Sequence, residues 1–338
     1  MIHFRGRSLD LHQGETVLEC LERSGESIPS SCRNGICQSC MLQASSGDVP
    51  PESQKGLKPS LRKQGYLLAC ACRPQSDLVL SSESPVPNFD STVVASEPLA
   101  TGVFRVLLEK PAGMEYAAGQ FVQVERPSDG LTRPYSLASL PSQACLELHI
   151  RVRETGTMSR WLSSAVGEAV RVRGPQGECC YDPAEPERPL LLIGTGTGLS
   201  PLLGVLRDAL QHGHSGPIRL THGAQSLAGL YAWQGLLELA RQHANVSLQG
   251  LVAEAPSAEV PFVQVGKVGN HLLGPQFPLS QSEIFLCGNP GLVQTLKKFA
   301  YLNGASLSHI HADPFLTAVV PARQAQANAA GDTALKSA

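Results

Sequence analysis

The chain has 338 residues, of which 42% are hydrophobic and 17% charged, with a formal net charge of -2. That length allows two or three compact domains, and the charge balance lacks the strong positive excess of most nucleic-acid binders. No apolar run approaches the roughly 18 residues that cross a bilayer, and the N-terminal MIHFRGRSLDLHQGE lacks the apolar core of a secretory signal; a cytoplasmic protein is expected.

In chain order, IHFRGRSLDL reads as a hairpin turning near Gly6, and ETVLECLERSG as an amphipathic helix ending at Gly25. A cysteine-bearing loop follows, completing a first domain over residues 1–84. The stretch SSESPVPNFD, polar and with two prolines, predicts a linker, with 85–90 as its core. Short β-like runs then appear in STVVASEPL, GVFRVLLE, QFVQVERP, CLELHIRVR and AVRVRGP, interrupted by one helix-like stretch, MSRWLSSA. Short strands punctuated by Gly and Pro predict an antiparallel barrel or sandwich over 91–183. From 184 to 318 strand-like and helix-like runs alternate, beginning with PLLLIGTGTGLSP, which predicts α/β with a parallel sheet. The Ala- and Gln-rich residues 319–338 predict a disordered tail.

Ten cysteines are many for a cytosolic chain, and Cys32, Cys37, Cys40, Cys70 and Cys72 cluster in the first quarter. In a reducing compartment such a cluster points to a metal site rather than to disulfides. CRNGICQSC gives Cys32, Cys37 and Cys40 with spacing C-x4-C-x2-C, and Cys70 follows in YLLACACRP. That is the plant-type [2Fe-2S] spacing with a distant fourth thiolate. A zinc site is the competing reading, but zinc sites usually pair two C-x2-4-C knuckles. Cys72 competes with Cys70 as fourth ligand, and spacing favours Cys70. Cys20 falls within a helical pattern, as a core residue would. The loop resembles the β-grasp ferredoxin domains of multicomponent oxygenase reductases, with Gln38 where that family usually has Gly. Gly35 lets the loop turn and brings N–H groups towards the negatively charged sulfides.

RPYSLAS, Arg133 to Ser139, resembles the R-x-Y-S/T signature of the ferredoxin–NADP reductase superfamily. That resemblance implies an FAD-binding β-barrel in which Arg133 pairs with the pyrophosphate, Tyr135 lies against the isoalloxazine and Ser136 sits near N5, with Pro134 between them. A forked cation suits a diphosphate and an aromatic face suits a flat ring. GTMSRWL resembles the family's second phosphate segment and marks Gly156, Met158 and Ser159 as further cofactor contacts. GPQG, Gly174 to Gly177, resembles its barrel-closing turn.

IGTGTGLSP follows an apolar strand and precedes a helix. It resembles the family's nicotinamide-dinucleotide loop, which assigns Gly194, Thr195, Gly196, Thr197 and Gly198 to cofactor binding. LCGNPG resembles the segment whose cysteine lies beside the nicotinamide C4, implicating Cys287 and Gly288. HADPF places Asp313 and Phe315 where the family has an acidic and then an aromatic residue. By resemblance Ser136, Cys287 and Asp313 form the catalytic set, and Phe315 covers the flavin. From His222 to Glu238 there is no Arg or Lys to bind a 2′-phosphate, so NADH is expected over NADPH.

The resemblance covers nearly all of residues 1–318, in the domain order of benzoate dioxygenase, phenol hydroxylase and methane monooxygenase reductases. It implies that FAD accepts a hydride from NAD(P)H and passes single electrons through the [2Fe-2S] cluster to an oxygenase component. The alternatives are the same chemistry serving a non-oxygenase partner of the deoxysugar dehydratase type, a stand-alone flavin or ferric reductase, and a simple electron carrier.

Overall fold

In the computed structural model the described residues are 1–26, 28–30, 32–35, 38–57, 59–81, 86–255, 259–268 and 277–316. They fall into two compact units, one containing Met1–Pro85 and the other Val86–Phe315. The tail expected at 319–338 lies outside the described residues.

In the first unit, β1 (Ile2–Phe4) and β2 (Arg7–Leu9) form the expected hairpin. Arg5 and Gly6 both adopt positive φ, the geometry of a two-residue turn that matches strand twist. Helix α1 (Val17–Arg23) starts at a capping box: the Glu19 N–H donates to Thr16 Oγ1 at 3.2 Å and the Thr16 N–H to Glu19 Oε2 at 2.8 Å. Strands β3 (Met41–Ser46), β4 (Tyr66–Leu68) and β5 (Leu78–Leu80) complete a sheet of order β2-β1-β5-β3-β4. The β1–β5 pair is parallel and the other pairs are antiparallel, a β-grasp arrangement. Ile2, Leu67 and Leu78 of the sheet and Leu18 and Leu21 of the helix are fully buried. A short helix, α2 (Pro59–Lys63), precedes β4.

The second unit begins with six antiparallel strands: β6 (Asn88–Ala100), β7 (Val103–Glu109), β8 (Phe121–Arg126), β9 (Leu131–Ser136), β10 (Cys145–Arg151) and β11 (Ala169–Gln176). Their order is β10-β7-β6-β11-β8-β9, and a bridge between Leu137 and Leu148 joins the two ends into a barrel. Val93, Val106, Leu108, Val122, Val124, Leu146 and Val172 fill it. Strand β6 starts at Asn88, so Asn88–Asp90, expected as linker, pair with Arg171–Arg173 instead. The Gly174–Pro175 pair of GPQG lies inside β11 at a shift in register, not at a turn. Helix α3 (Thr157–Leu162) lies between β10 and β11.

The remainder is a wholly parallel sheet: β12 (Leu190–Thr195), β13 (Ile218–Ala224), β14 (Val246–Val252), β15 (Val263–Val265), β16 (Glu283–Gly288) and β17 (Ile310–Pro314). The order β15-β14-β13-β12-β16-β17 means that the chain works outward from β12, then returns to its other side. Ligands of open α/β sheets bind at such a reversal, beyond the carboxyl ends of the strands. Leu190 and Leu192 pack with helices α4 (Leu199–Gln211) and α5 (Trp233–Gln242) on one face. Leu191 and Ile193 pack with α6 (Pro290–Leu302) on the other. A side chain at Gly204 would bring its Cβ to 2.8 Å from Gly119 N and Leu137 O. Its absence lets α4 lie directly on the barrel.

Candidate redox site

The cysteine loop sits beside β4 in the first unit. Cys32, Cys40 and Cys70 are all buried, with exposures of 1%, 3% and 8%; Cys37 lies outside the described residues. Backbone N–H groups aim at their sulfurs: Asn34 to Cys32 Sγ at 3.4 Å, Gly35 to Cys70 Sγ at 3.2 Å and Cys70 to Cys40 Sγ at 3.4 Å. Such donors favour thiolates and the negative charge of a cluster. The Cys40 sulfur, together with the Gly35 N–H, holds the Cys70 thiol below its usual range despite burial. Cys72 behaves differently, since burial pushes its thiol up to about 11. The donor set therefore fits an iron–sulfur cluster. Gln38 has φ +56°, a backbone that favours Gly, and its amide donates to Gly56 O at 3.2 Å. Cys20 is fully buried within α1.

In the barrel, Arg133, Pro134 and Tyr135 occupy β9 as half-buried residues. Burial lowers the pKa of the Arg133 guanidinium and raises that of the Tyr135 phenol. Arg133 donates to Thr132 O at 2.7 Å and has no carboxylate partner among the described residues. A desolvated, uncompensated cation fits an anionic ligand. Gly156 precedes α3, and the Ser159 hydroxyl turns back to donate to Gly156 O at 3.2 Å. Met158 points into the barrel core, so only its backbone remains for a ligand.

At the reversal of strand order, the glycine loop packs against the end of β16 without room for side chains. A Cβ at Gly198 would lie 2.4 Å from Cys287 O, and one at Gly288 2.6 Å from Thr195 O. The Asn289 N–H donates to Thr195 Oγ1 at 3.1 Å. Thr197 lies between Gly196 and Gly198 in the turn that leads into α4. Sequence reasoning missed His222, which is fully buried at the end of β13. Burial depresses its pKa to about 4, so the imidazole is neutral, and Nε2 meets Gly196 O at 3.0 Å. Arg151 was missed as well: a Cβ on Gly196 would be 3.6 Å from its Nη2.

The expected catalytic residues converge from three distant segments. Ser136 Oγ donates to Asp313 Oδ2 at 2.7 Å. Asp313 pairs with Cys287 across β16 and β17. Burial raises the Asp313 pKa to about 6 although the Ser136 bond lowers it, and burial raises the Cys287 thiol well above its usual value. Ser200 at the start of α4 donates to Ser136 O at 3.0 Å, and the Phe315 N–H to Gly288 O at 2.7 Å.

Three domain families match: 2Fe-2S iron-sulfur cluster binding domain at residues 2–75, oxidoreductase FAD-binding domain at 92–181 and oxidoreductase NAD-binding domain at 192–298. The reductase subunit of an aromatic O-demethylase from Amycolatopsis sp. is 32% identical over 93% of this chain and 97% of its own. The electron transfer component of toluate 1,2-dioxygenase from Pseudomonas putida is 30% identical over 91% and 95%. A crystal structure of an Amycolatopsis cytochrome P450 reductase superimposes with a TM-score of 0.65 at 31% identity, covering 93% of this chain and 98% of the other. With its ferredoxin-type unit, flavin barrel and dinucleotide sheet in one polypeptide, the chain belongs to the family of FAD- and [2Fe-2S]-containing oxygenase reductase components.

Proposed function

We propose that this protein oxidises NADH in the cytoplasm and delivers the electrons singly to an oxygenase component, with its work divided among residues 1–84, 91–183 and 184–318. The observation that carries the reading is the meeting of Ser136, Asp313 and Cys287 at the strand reversal, between the Arg133–Tyr135 face and the glycine loop. FAD accepts a hydride and gives up electrons one at a time, which a [2Fe-2S] cluster can take.

The protein's own residues do the rest. Arg133 neutralises the flavin diphosphate, with Pro134 fixing the strand beside it, and Tyr135 covers the ring. Gly156, Ser159 and the Met158 backbone shape the second phosphate contact. The backbone of Gly194 to Gly198 receives the dinucleotide diphosphate, with Arg151 as an adjacent cation and His222 fixing the Gly196 peptide. Ser136, held by Asp313, presents its hydroxyl to the flavin edge. Cys287 and Gly288 floor the nicotinamide pocket, and Phe315 covers the flavin until nicotinamide arrives. Cys32, Cys37, Cys40 and Cys70 hold the two irons.

Preference for NADH is supported at the ends of β13 and β14. There Gln225 Nε2 donates to Glu254 Oε1 at 3.0 Å, which puts a carboxylate beside the loop after β13, whereas a 2′-phosphate usually needs an Arg or Lys nearby. Anaerobic titration separates the steps. NADH should bleach flavin and then cluster absorbance, at far lower concentration than NADPH. Flavin reduction with a cluster that stays oxidised would overturn the relay, and equal response to NADPH would overturn the specificity.

A further inference from the structure

Cys179 Sγ and Cys287 Sγ lie 3.4 Å apart, although 108 residues separate them in sequence. Cys179 follows β11 of the barrel and Cys287 lies near the carboxyl end of β16, so the pair spans the two halves of the second unit. Their exposures are 4% and 2%. Sulfurs in van der Waals contact need move little more than an ångström to reach the roughly 2.05 Å of a disulfide.

We propose that Cys179 and Cys287 are an oxidative modification site, closing to a disulfide when the protein meets hydrogen peroxide and thereby shutting the dinucleotide site. One thiol, as its thiolate, attacks a peroxide oxygen; the O–O bond breaks, and sulfenic acid and water result. The second sulfur displaces the hydroxyl of the sulfenic acid, forming the S–S bond and a second water. In total two thiols lose two electrons and two protons, and one hydrogen peroxide is reduced to two waters. Burial keeps the Cys287 thiol protonated and the first step slow, so the pair stays reduced in ordinary turnover. The second step is intramolecular between contacting groups and fast once the first has occurred. Closure fixes the barrel segment at Cys179 to β16 and withdraws the Cys287 thiol from the floor of the site.

The link itself is read by mass and does not depend on the NADH reading. Holoenzyme treated with hydrogen peroxide is digested without reductant and its peptides are mapped, with oxidation of the partly exposed Cys145 showing that oxidant was delivered. A Cys179–Cys287 cross-linked peptide should appear, and NADH-driven flavin bleaching should fall in proportion to it. Dithiothreitol should restore both. Cys179→Ser should show no link and no dithiothreitol-reversible loss. A map in which Cys145 is oxidised but Cys179 is unlinked, or linked to its neighbour Cys180, overturns the proposal. So does a reversible loss of the same size in Cys179→Ser.

Discussion

At the scale of single residues, the Asp313 carboxyl sits close to its working limit. Burial raises its pKa to about 6, and the hydrogen bond from Ser136 prevents a larger rise. The ionised form is the stronger acceptor for the Ser136 hydroxyl, so protonation loosens the group that presents that hydroxyl. The rate of flavin reduction by NADH should therefore fall as pH drops through about 6. Asp313→Asn should be slower, by about tenfold or more for one lost charge-assisted hydrogen bond, and should lack that acidic limb. Rapid-mixing rates measured across this range decide the matter: an Asp313→Asn profile that keeps the limb would assign the ionisation elsewhere. His222 shows a different use of burial. It keeps the imidazole neutral, so the ring organises the glycine loop without placing a fixed positive charge beneath it.

At the scale of elements, β10 of the barrel is tied to helix α4. Arg207 on α4 donates to Ala138 O at 2.9 Å and to Glu147 Oε2 at 3.2 Å, while His149 Nε2 meets Glu147 Oε1 at 2.8 Å. Burial alone would raise the Glu147 pKa, but the His149 hydrogen bond and the Arg207 charge outweigh it and lower the value to about 2. Because the folded value lies below the unfolded one, the pair stabilises the fold fully above about pH 4.5 and ceases to do so as pH falls through about 2. A shift of that size corresponds to about 3 kcal/mol. Glu147→Gln should therefore flatten the dependence of stability on pH between these limits, as measured by denaturant unfolding, while lowering stability at neutral pH. An unchanged slope would mean that Glu147 is not held in this network. None of this coupling is visible in CLELHIRVR, which reads only as a short β-like run. The same boundary applies elsewhere. The three-residue strands β4 and β15 are too short for periodicity, and β9 was hidden because Arg133 and Pro134 read as a motif before they read as a strand. The apolar runs of β12 and β16 and the helices α4 and α6 were legible because burial on a parallel sheet demands them. Ser136, Cys287 and Asp313 were gathered by resemblance alone. Cys179 and Arg151 carry no sequence signal, since only the packing of barrel against sheet brings them to the site, and His222 reaches Gly196 only through the pairing of β13 with β12.

At the scale of the whole molecule, the chain separates its chemistry by unit. The sulfur-rich loop belongs to Met1–Pro85, whereas the Arg133 face, the glycine loop and the Ser136–Asp313 pair all belong to Val86–Phe315. Each unit has its own fully buried apolar side chains, Ile2 and Leu78 in the first and Leu137 and Phe285 in the second. Damage at the first site should therefore leave the chemistry of the second intact. Cys70 is the position at which to separate them, because it receives the Gly35 N–H and its own N–H donates to Cys40 Sγ. Replacing its soft sulfur with a harder oxygen weakens the grip on iron. Cys70→Ser should lose iron and acid-labile sulfide, and with them NADH-driven electron delivery to an oxygenase component. It should retain FAD and be bleached by NADH at the wild-type rate, as followed by anaerobic flavin absorbance. A variant that loses FAD or fails to oxidise NADH would show that the two units do not act independently. Full iron retention would show instead that the fourth ligand is another residue, and that the low thiol pKa at Cys70 has a different cause.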